Sequence, residues 1–367
     1  MKKILLFSRD PGGANTIIPL IEPLQSQGFD VKLYGKDSAL DKYRQYGFLG
    51  ENILDKINGI TVQELSSFLV REKPDVIVTG TSEDDMTEKY LWKAAEVLGI
   101  TSYVILDQWT NYARRFSTHT SPNDLFYMPS KICVMDEYAQ QEMIKTGIDA
   151  HRIIVTGQPY FDLVQKIKNS FSADALMIVK KSFNIMPTDF VITYASEPIQ
   201  SICGEAYWGY TEHSIFTHLL QSLEKVIGMS EKKIMLIIKI HPKENIDNFD
   251  ILIEEFKHPS INIVIDKKTR QWDIMMISDL VCGMSSMFLL ESVLLGVPML
   301  SIQIGLKREN PFILDRLGAV KSIVQQNHLV EALQKIVLEG QFPQSQFTVL
   351  PNATDRVIHQ IGRVCQN

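Results

Sequence analysis

The sequence predicts an α/β protein made of two similar halves, each an open parallel sheet with crossover helices. Three observations lead there. Short apolar, β-branched runs alternate with helical patterns along most of the 367 residues, which is the spacing of strand–helix–strand units. The series of strands restarts after a polar, helical passage near 165–187, punctuated by Asn169-Ser170-Phe171-Ser172 and Met186-Pro187-Thr188. The length also suffices for two domains of ordinary size, each with its own core.

The strands expected of the first half are Lys3–Phe7, Val31–Tyr34, Val76–Thr79, Ser102–Leu106, Ile132–Val134 and Ile153–Thr156. Those of the second are Phe190–Tyr194, Ile234–Ile240, Ile261–Ile265, Leu280–Cys282 and Met299–Ile302. Such near-continuous apolar runs suit strands covered on both faces. Helices are expected at Asn15–Gln27, Met86–Leu98, Glu137–Thr146, Glu212–Ile227 and His328–Leu338. The division that follows is a first domain over 1–168, a second over 169–350, and a last helix (Thr354–Cys365) in 351–367 that returns to the first. Two such domains facing each other would leave a cleft. Ligands of open parallel sheets bind beyond the carboxyl ends of the strands, so the loops at those ends are where chemistry is expected.

Composition narrows the class. Hydrophobic residues make up 45% and charged residues 22%, the balance of a soluble globular protein. A formal charge of −6 argues against broad nucleic-acid binding. Cys133, Cys203, Cys282 and Cys365 lie far apart without a CxxC pair, so neither a zinc site nor a disulfide framework is expected, and a reducing cytoplasm is the plain reading. The opening Met1-Lys2-Lys3-Ile4-Leu5-Leu6-Phe7 imitates a signal peptide, but its apolar run is short and meets Arg9-Asp10 at once. No run approaches the ~20 apolar residues of a membrane span; peripheral association with the inner membrane face stays open.

The first strand leads into Ser8-Arg9-Asp10-Pro11-Gly12-Gly13-Ala14-Asn15. Here Gly12 and Gly13 would let the backbone approach a ligand and Asn15 would cap the next helix; a tight turn chosen for geometry alone is the equal alternative. The dinucleotide fingerprint GxGxxG is absent, which disfavours nicotinamide and flavin enzymes. Glu83-Asp84-Asp85 follows the third strand. These acids favour a helix start more readily than a cation, so no metal is expected. Asp107, at the end of Ser102–Leu106, is placed as a general base, with Trp109 and Tyr112 as a wall for a sugar ring. The alternative is a capping Asp over packed aromatics.

In the second half, His241 stands after a buried strand and before Pro242, able to give a proton or hydrogen bond to phosphate, and Lys243 could add charge. Ser196-Glu197-Pro198 is a weaker candidate on the same rim. The passage Gly283-Met284-Ser285-Ser286 precedes an apolar helical run that contains Glu291. Free amides and two hydroxyls at a helix start make a seat for phosphate, and a carboxylate inside such a run needs a partner.

These residues resemble the GT-B superfamily of nucleotide-sugar glycosyltransferases and their relatives. The resemblance rests on the paired halves, His241-Pro242, Ser285-Ser286 with Glu291, Gly296 and Pro298, and Val155-Thr156-Gly157-Gln158-Pro159-Tyr160-Phe161-Asp162, which is similar to a TGxPxxD stretch near the domain junction. Bacterial sialyl- and polysialyltransferases pair an acidic motif with His-Pro and Ser-Ser motifs; Asp107-Gln108-Trp109 stands where that acidic motif usually has two acids and a glycine. CDP-glycerol glycerophosphotransferases share the His-Pro and Ser-Ser theme. UDP-N-acetylglucosamine 2-epimerases are similar in Ser8-Arg9-Asp10-Pro11 and His241-Pro242-Lys243-Glu244-Asn245, but Thr81 stands in place of an acid of their GDT-like loop.

The resemblance implies a metal-independent, cofactor-free transferase moving a sugar from a nucleotide-sugar donor to a glycan acceptor. Ser285, Ser286, Gly283 and Lys243 would hold the donor phosphate, Glu291 the ribose, and His241 the leaving phosphate. Asp107 would deprotonate the acceptor, with Arg9, Asp10, Gly12, Gly13, Asn15 and Trp109 lining the acceptor side. A nucleotide-sugar 2-epimerase and a CDP-glycerol-type transferase are the alternatives.

Overall fold

A computed structural model describes residues 1–229, 231–244 and 247–366, without the side chains of residues 247, 248 and 366. Asn245 of the expected histidine segment therefore lies outside the described residues. The chain divides into two compact units: Met1–Leu163 with Thr348–Asn367, and Val164–Phe347.

Unit 1 holds strands β1 (Lys3–Ser8), β2 (Asp30–Gly35), β3 (Glu51–Asn52), β4 (Val76–Thr79), β5 (Thr101–Ile105), β6 (Lys131–Val134) and β7 (Ile153–Val155). They form one sheet in the order β3-β2-β1-β4-β5-β6-β7, paired in parallel throughout. Unit 2 holds β8 (Phe190–Ala195), β9 (Ile234–Lys239), β10 (Ile261–Asp266), β11 (Leu280–Gly283) and β12 (Met299–Ser301). Their order is β10-β9-β8-β11-β12, again parallel. The first strand of each unit thus has neighbours on both sides that follow it in sequence. Loops leaving β1 and β4, or β8 and β11, diverge to opposite faces of the sheet and leave a crevice at the carboxyl ends.

The central strands are buried almost throughout, and successive side chains point to opposite faces of the sheet, so each strand feeds two cores. In unit 2, Ile192, Tyr194, Leu236 and Ile238 face Phe216, Leu219 and Leu223 of helix Glu212–Ile227 and Leu329 and Leu333 of helix Gln326–Val337. Val191, Met235 and Ile237 cover the other face with Ile274 and Ile277 of helix Gln271–Ile277. In unit 1, Ile4, Leu6, Val76, Val78 and Ile105 pack with Ile17, Leu20 and Leu24 of helix Pro11–Ser26. Val357, Ile358 and Ile361 of the final helix, Ala353–Gln366, complete that core. Two polar ties hold it: Tyr103 Oη donates to Gln360 O at 2.9 Å, and Thr354 N donates to Asp162 Oδ2 at 2.7 Å.

The first helix begins at Pro11, not at Asn15. Asp10 is the cap, accepting from Gly13 N at 2.8 Å, and Pro11 supplies a pre-set φ in the first turn. Gly12, Gly13 and Asn15 are therefore helical residues; the loop reading gave way to cap chemistry. Helix Val62–Glu72 was missed although Thr61-Val62-Gln63-Glu64 spells its start, with Thr61 Oγ1 accepting from Glu64 N at 3.1 Å.

Because Ile361 is fully buried in the unit 1 core, Ile361→Ala should destabilise that unit by about 2–5 kcal/mol, measured by urea denaturation.

Candidate functional site

In unit 1 the ends of β1, β4 and β5 converge. Glycine is required twice. A Cβ on Gly80, just after β4, would lie 2.6 Å from Gly13 Cα, and one on Gly12 would lie 2.2 Å from Asp107 Oδ2. The absence of both side chains lets the first helix press against the β4 loop and brings Asp107 onto its first turn.

Asp107 is held by one oxygen. Its Oδ1 accepts from Arg115 Nη1 at 2.7 Å and from Thr81 Oγ1 at 3.1 Å. The same Arg115 nitrogen donates to Thr81 Oγ1 at 2.7 Å, and Gln158 Nε2 donates to the Asp107 carbonyl at 2.7 Å. Its Oδ2 accepts no hydrogen bond among the described residues and lies against Gly12. The ion pair is buried, with Asp107 8% and Arg115 5% exposed, so each charge depends on the other.

Further acids crowd this corner. Burial, and then the Asp107 charge, push the Asp10 carboxyl above its ordinary range, against the pull of the Gly13 N–H, Arg115 and Arg9. Glu88, in helix Thr87–Leu98, is only 1% exposed and its Oε2 has no hydrogen-bond partner. Burial, reinforced by Asp10 and Asp85, raises its carboxyl well above the usual range. Burial also acts on Asp85, but Lys36 Nζ at 2.5 Å and Thr87 outweigh it and lower its pKa. Next to Glu88, the ammonium of Lys89 donates to the carbonyls of Glu83 (3.2 Å), Arg114 (3.1 Å) and Ser117 (2.9 Å). It staples the loop after β4 to the loop that carries Arg115.

Trp109 is 2% exposed, stacks on Phe161 with ring centroids 5.9 Å apart, and donates its indole N–H to Asp136 Oδ2 at 2.7 Å. It supports the loop from below rather than presenting a face to a sugar ring. Arg9 pairs with Asp37 at 2.9 Å.

In unit 2 the ends of β8 and β11 meet. Glu197 Oε1 accepts from Ser285 N at 2.6 Å, Ser286 N at 3.0 Å and Met284 N at 3.2 Å, while its Oε2 accepts from Ser285 Oγ at 3.1 Å. The expected phosphate seat at the start of helix Met287–Leu295 thus holds a carboxylate of the same chain. A Cβ on Gly283 would lie 3.0 Å from Ala195 O, so glycine keeps β11 close to β8 here.

Beside it, His241 Nδ1 accepts from Lys243 N at 3.2 Å, which leaves Nε2 to carry the proton of the neutral ring. Burial, then the Lys243 charge, lower the pKa of His241. Glu244, 8% exposed, accepts from Ser196 Oγ at 2.7 Å and His241 N at 2.9 Å, tying the β8 and β9 ends together. The Lys243 side chain is exposed. Glu291 finds its partners inside the unit: Gln271 Nε2 at 2.6 Å and Trp272 Nε1 at 3.2 Å.

The sequence pattern singles out Asp107, Asp10 and the Ser285-Ser286 turn, which the structure places at strand ends; it gives no role to Glu88 or Arg115 and makes Glu197 a weaker candidate. Glu88 reads as an ordinary first-turn acid; only the fold shows it fully buried. Arg115 sits eight residues after Asp107 in an irregular loop, where no period announces contact.

Two outcomes follow. Gly12→Ala should push the Asp107 carboxylate aside and lower turnover roughly 100-fold, the scale of an ångström of misplacement, checked by steady-state kinetics beside a thermal melt. Glu88, with its folded pKa raised, stabilises the fold most below its unfolded value, and that contribution is lost as pH rises through the raised value. Glu88→Gln should therefore flatten a stability decline that begins above about pH 4.5 and has a slope of at most ~1.4 kcal/mol per pH unit, read from urea melts at several pH values.

No protein-family model and no curated relative matches the chain. Solved structures do. The S. aureus MnaA–UDP co-structure aligns with a TM-score of 0.68 at 14% identity, covering 100% of this chain and 97% of that one. UDP-GlcNAc 2-epimerase from Neisseria meningitidis, bound to UDP-GlcNAc, gives 0.69 at 14% identity, covering 98% and 100%. Acinetobacter baumannii MurG gives 0.56 at 13% identity, covering 99% and 100%. At such identity the likeness concerns the fold: the chain is built of two Rossmann-like parallel-sheet units, as are these GT-B proteins.

Proposed function

We propose that the chain acts on a nucleotide sugar, and that the reaction is epimerisation at C2 of a UDP-linked N-acetylhexosamine. The observation that carries this reading is Asp107, a carboxylate anchored through one oxygen with the other unbonded. It stands at the carboxyl end of a parallel strand beside Asp10 and Glu88, two carboxyls that hold protons more tightly than usual. Inverting a C–H centre requires one proton to be removed and another delivered, and this group of acids offers both capacities. Support comes from structures of the same fold named as UDP-GlcNAc 2-epimerases, two of them with UDP-GlcNAc bound.

In this reading Gly283, Ser285, Ser286 and Lys243 serve the diphosphate, and His241 Nε2–H bonds the departing phosphate oxygen. Arg9, Asp10 and Asn15 serve the sugar side, whereas Glu291, expected at the ribose, is buried on Gln271 and Trp272 and is left out of the site. No metal or cofactor is invoked, since the diphosphate is itself the activating group.

Transfer to a glycan acceptor is the second reading, and Thr81 favours it. The hydroxyl that replaces an acid of the epimerase loop is spent on Asp107 and Arg115. One unbonded carboxylate oxygen is enough to deprotonate an acceptor hydroxyl, and MurG shares the fold.

Incubation with UDP-GlcNAc in heavy water, without acceptor, separates the two. Epimerisation should place deuterium at C2, visible by NMR, and Asp107→Asn should slow the exchange by 10²–10⁴-fold, the usual worth of an acid–base group (roughly). Turnover that needs a glycan acceptor and leaves C2 unlabelled would establish transfer instead.

A further inference from the structure

The anion seat of unit 2 is a helix start with an occupant. Three successive amides (Met284, Ser285, Ser286) and the Ser285 hydroxyl converge on the Glu197 carboxylate. That is the donor arrangement by which such nests hold phosphate oxygens. A second, independent observation concerns Ser286. It stands at the cap position of the nine-residue helix Met287–Leu295, yet its side chain makes no cap bond. Its Oγ is buried without a hydrogen-bond partner, although serine is chosen at that position because it caps. Glu197, with two oxygens, uses four donors, and the Ser286 hydroxyl next to them in the chain uses none. A tetrahedral phosphate brings a third oxygen to the same place and can take the unused hydroxyl.

Electrostatics point the same way. Among the described residues no lysine or arginine pairs with Glu197. The titratable groups coupled to it are Tyr194 of β8, Tyr210 before helix Glu212–Ile227, and Glu244 after β9; Glu212 of that helix couples in turn to Tyr194 and Glu244. His241 stands beside Glu244 with its ring neutral at ordinary pH. A carboxylate near other carboxylates is held here by three amides and one hydroxyl without a cation, so an anion able to use the same donors can compete for them.

We propose that Glu197 is an internal stand-in for the ligand's phosphate, and that a phosphate or diphosphate binds at Met284–Ser286 only by displacing it. The identity of that ligand as a nucleoside diphosphate rests on the reading above; the displacement itself does not.

The test is calorimetric titration of the full chain with inorganic pyrophosphate and with UDP, for wild type, Glu197→Ala and Glu197→Gln, between pH 5 and 8.5. Circular dichroism verifies the fold, and Glu197→Gln decides if the alanine variant unfolds. The expected result is at least a tenfold gain in affinity for both ligands at pH 8. Because burial raises the Glu197 carboxyl above its ordinary value against the amides that lower it, that advantage should shrink as the pH falls and the wild-type carboxyl takes up a proton. A gain for pyrophosphate without UDP binding would sustain the displacement and remove the nucleotide reading. UDP binding that is equal or weaker in both variants would overturn the displacement and leave the nucleotide reading standing. Failure of every form to bind either ligand would overturn it as well.

Discussion

Everything at the two rims depends on how a carboxylate is held away from water. A buried carboxylate costs several kcal/mol unless charge or hydrogen bonds replace its hydration, and each unit answers differently. Unit 1 uses a guanidinium: Arg115 and the Thr81 hydroxyl clasp one oxygen of Asp107. Unit 2 uses backbone: the amides at the end of β11 clasp Glu197 at the end of β8. Both arrangements occur where strand order reverses beside the first strand of the unit, because only there do neighbouring loops part and leave polar backbone accessible. The glycines follow from the same crowding. Gly80 lets the loop after β4 meet the first helix, and Gly283 lets β11 meet β8, without a methyl group between them.

Much of the fold is legible in the sequence because parallel strands buried on both faces must be continuous apolar runs. Phe190–Tyr194 and Ile234–Ile240 read as strands from their apolar, β-branched runs, and the structure has strands there at Phe190–Ala195 and Ile234–Lys239. Legibility ends where the signal is a single hydrogen bond. Asp10-Pro11 looks like loop punctuation before two glycines, yet the Asp10–Gly13 cap bond starts a helix there. Of the candidate site, the residues at strand ends could be found because topology puts them there: Asp107, His241 and Ser285 all follow buried runs. Glu88, Arg115 and the true partners of Glu291 could not. Their positions depend on helices and loops folding back across tens of residues, as when Gln271 and Trp272 reach Glu291.

The shared GT-B fold, kept over nearly the whole chain at low identity, limits what architecture says about chemistry. Epimerases and transferases both need a place for a diphosphate and a group that handles a proton. In this chain Thr81 and Arg115 hold Asp107 while Asp10 and Glu88 stand near it with raised proton affinity.

The three-carbonyl staple made by Lys89 has a consequence for how this protein can change over generations. One ammonium fixes the spacing of residues 83, 114 and 117, and with it the angle at which Arg115 reaches Asp107. Insertions in either loop would have to preserve that three-point anchorage, so the two loops should vary in length together or not at all.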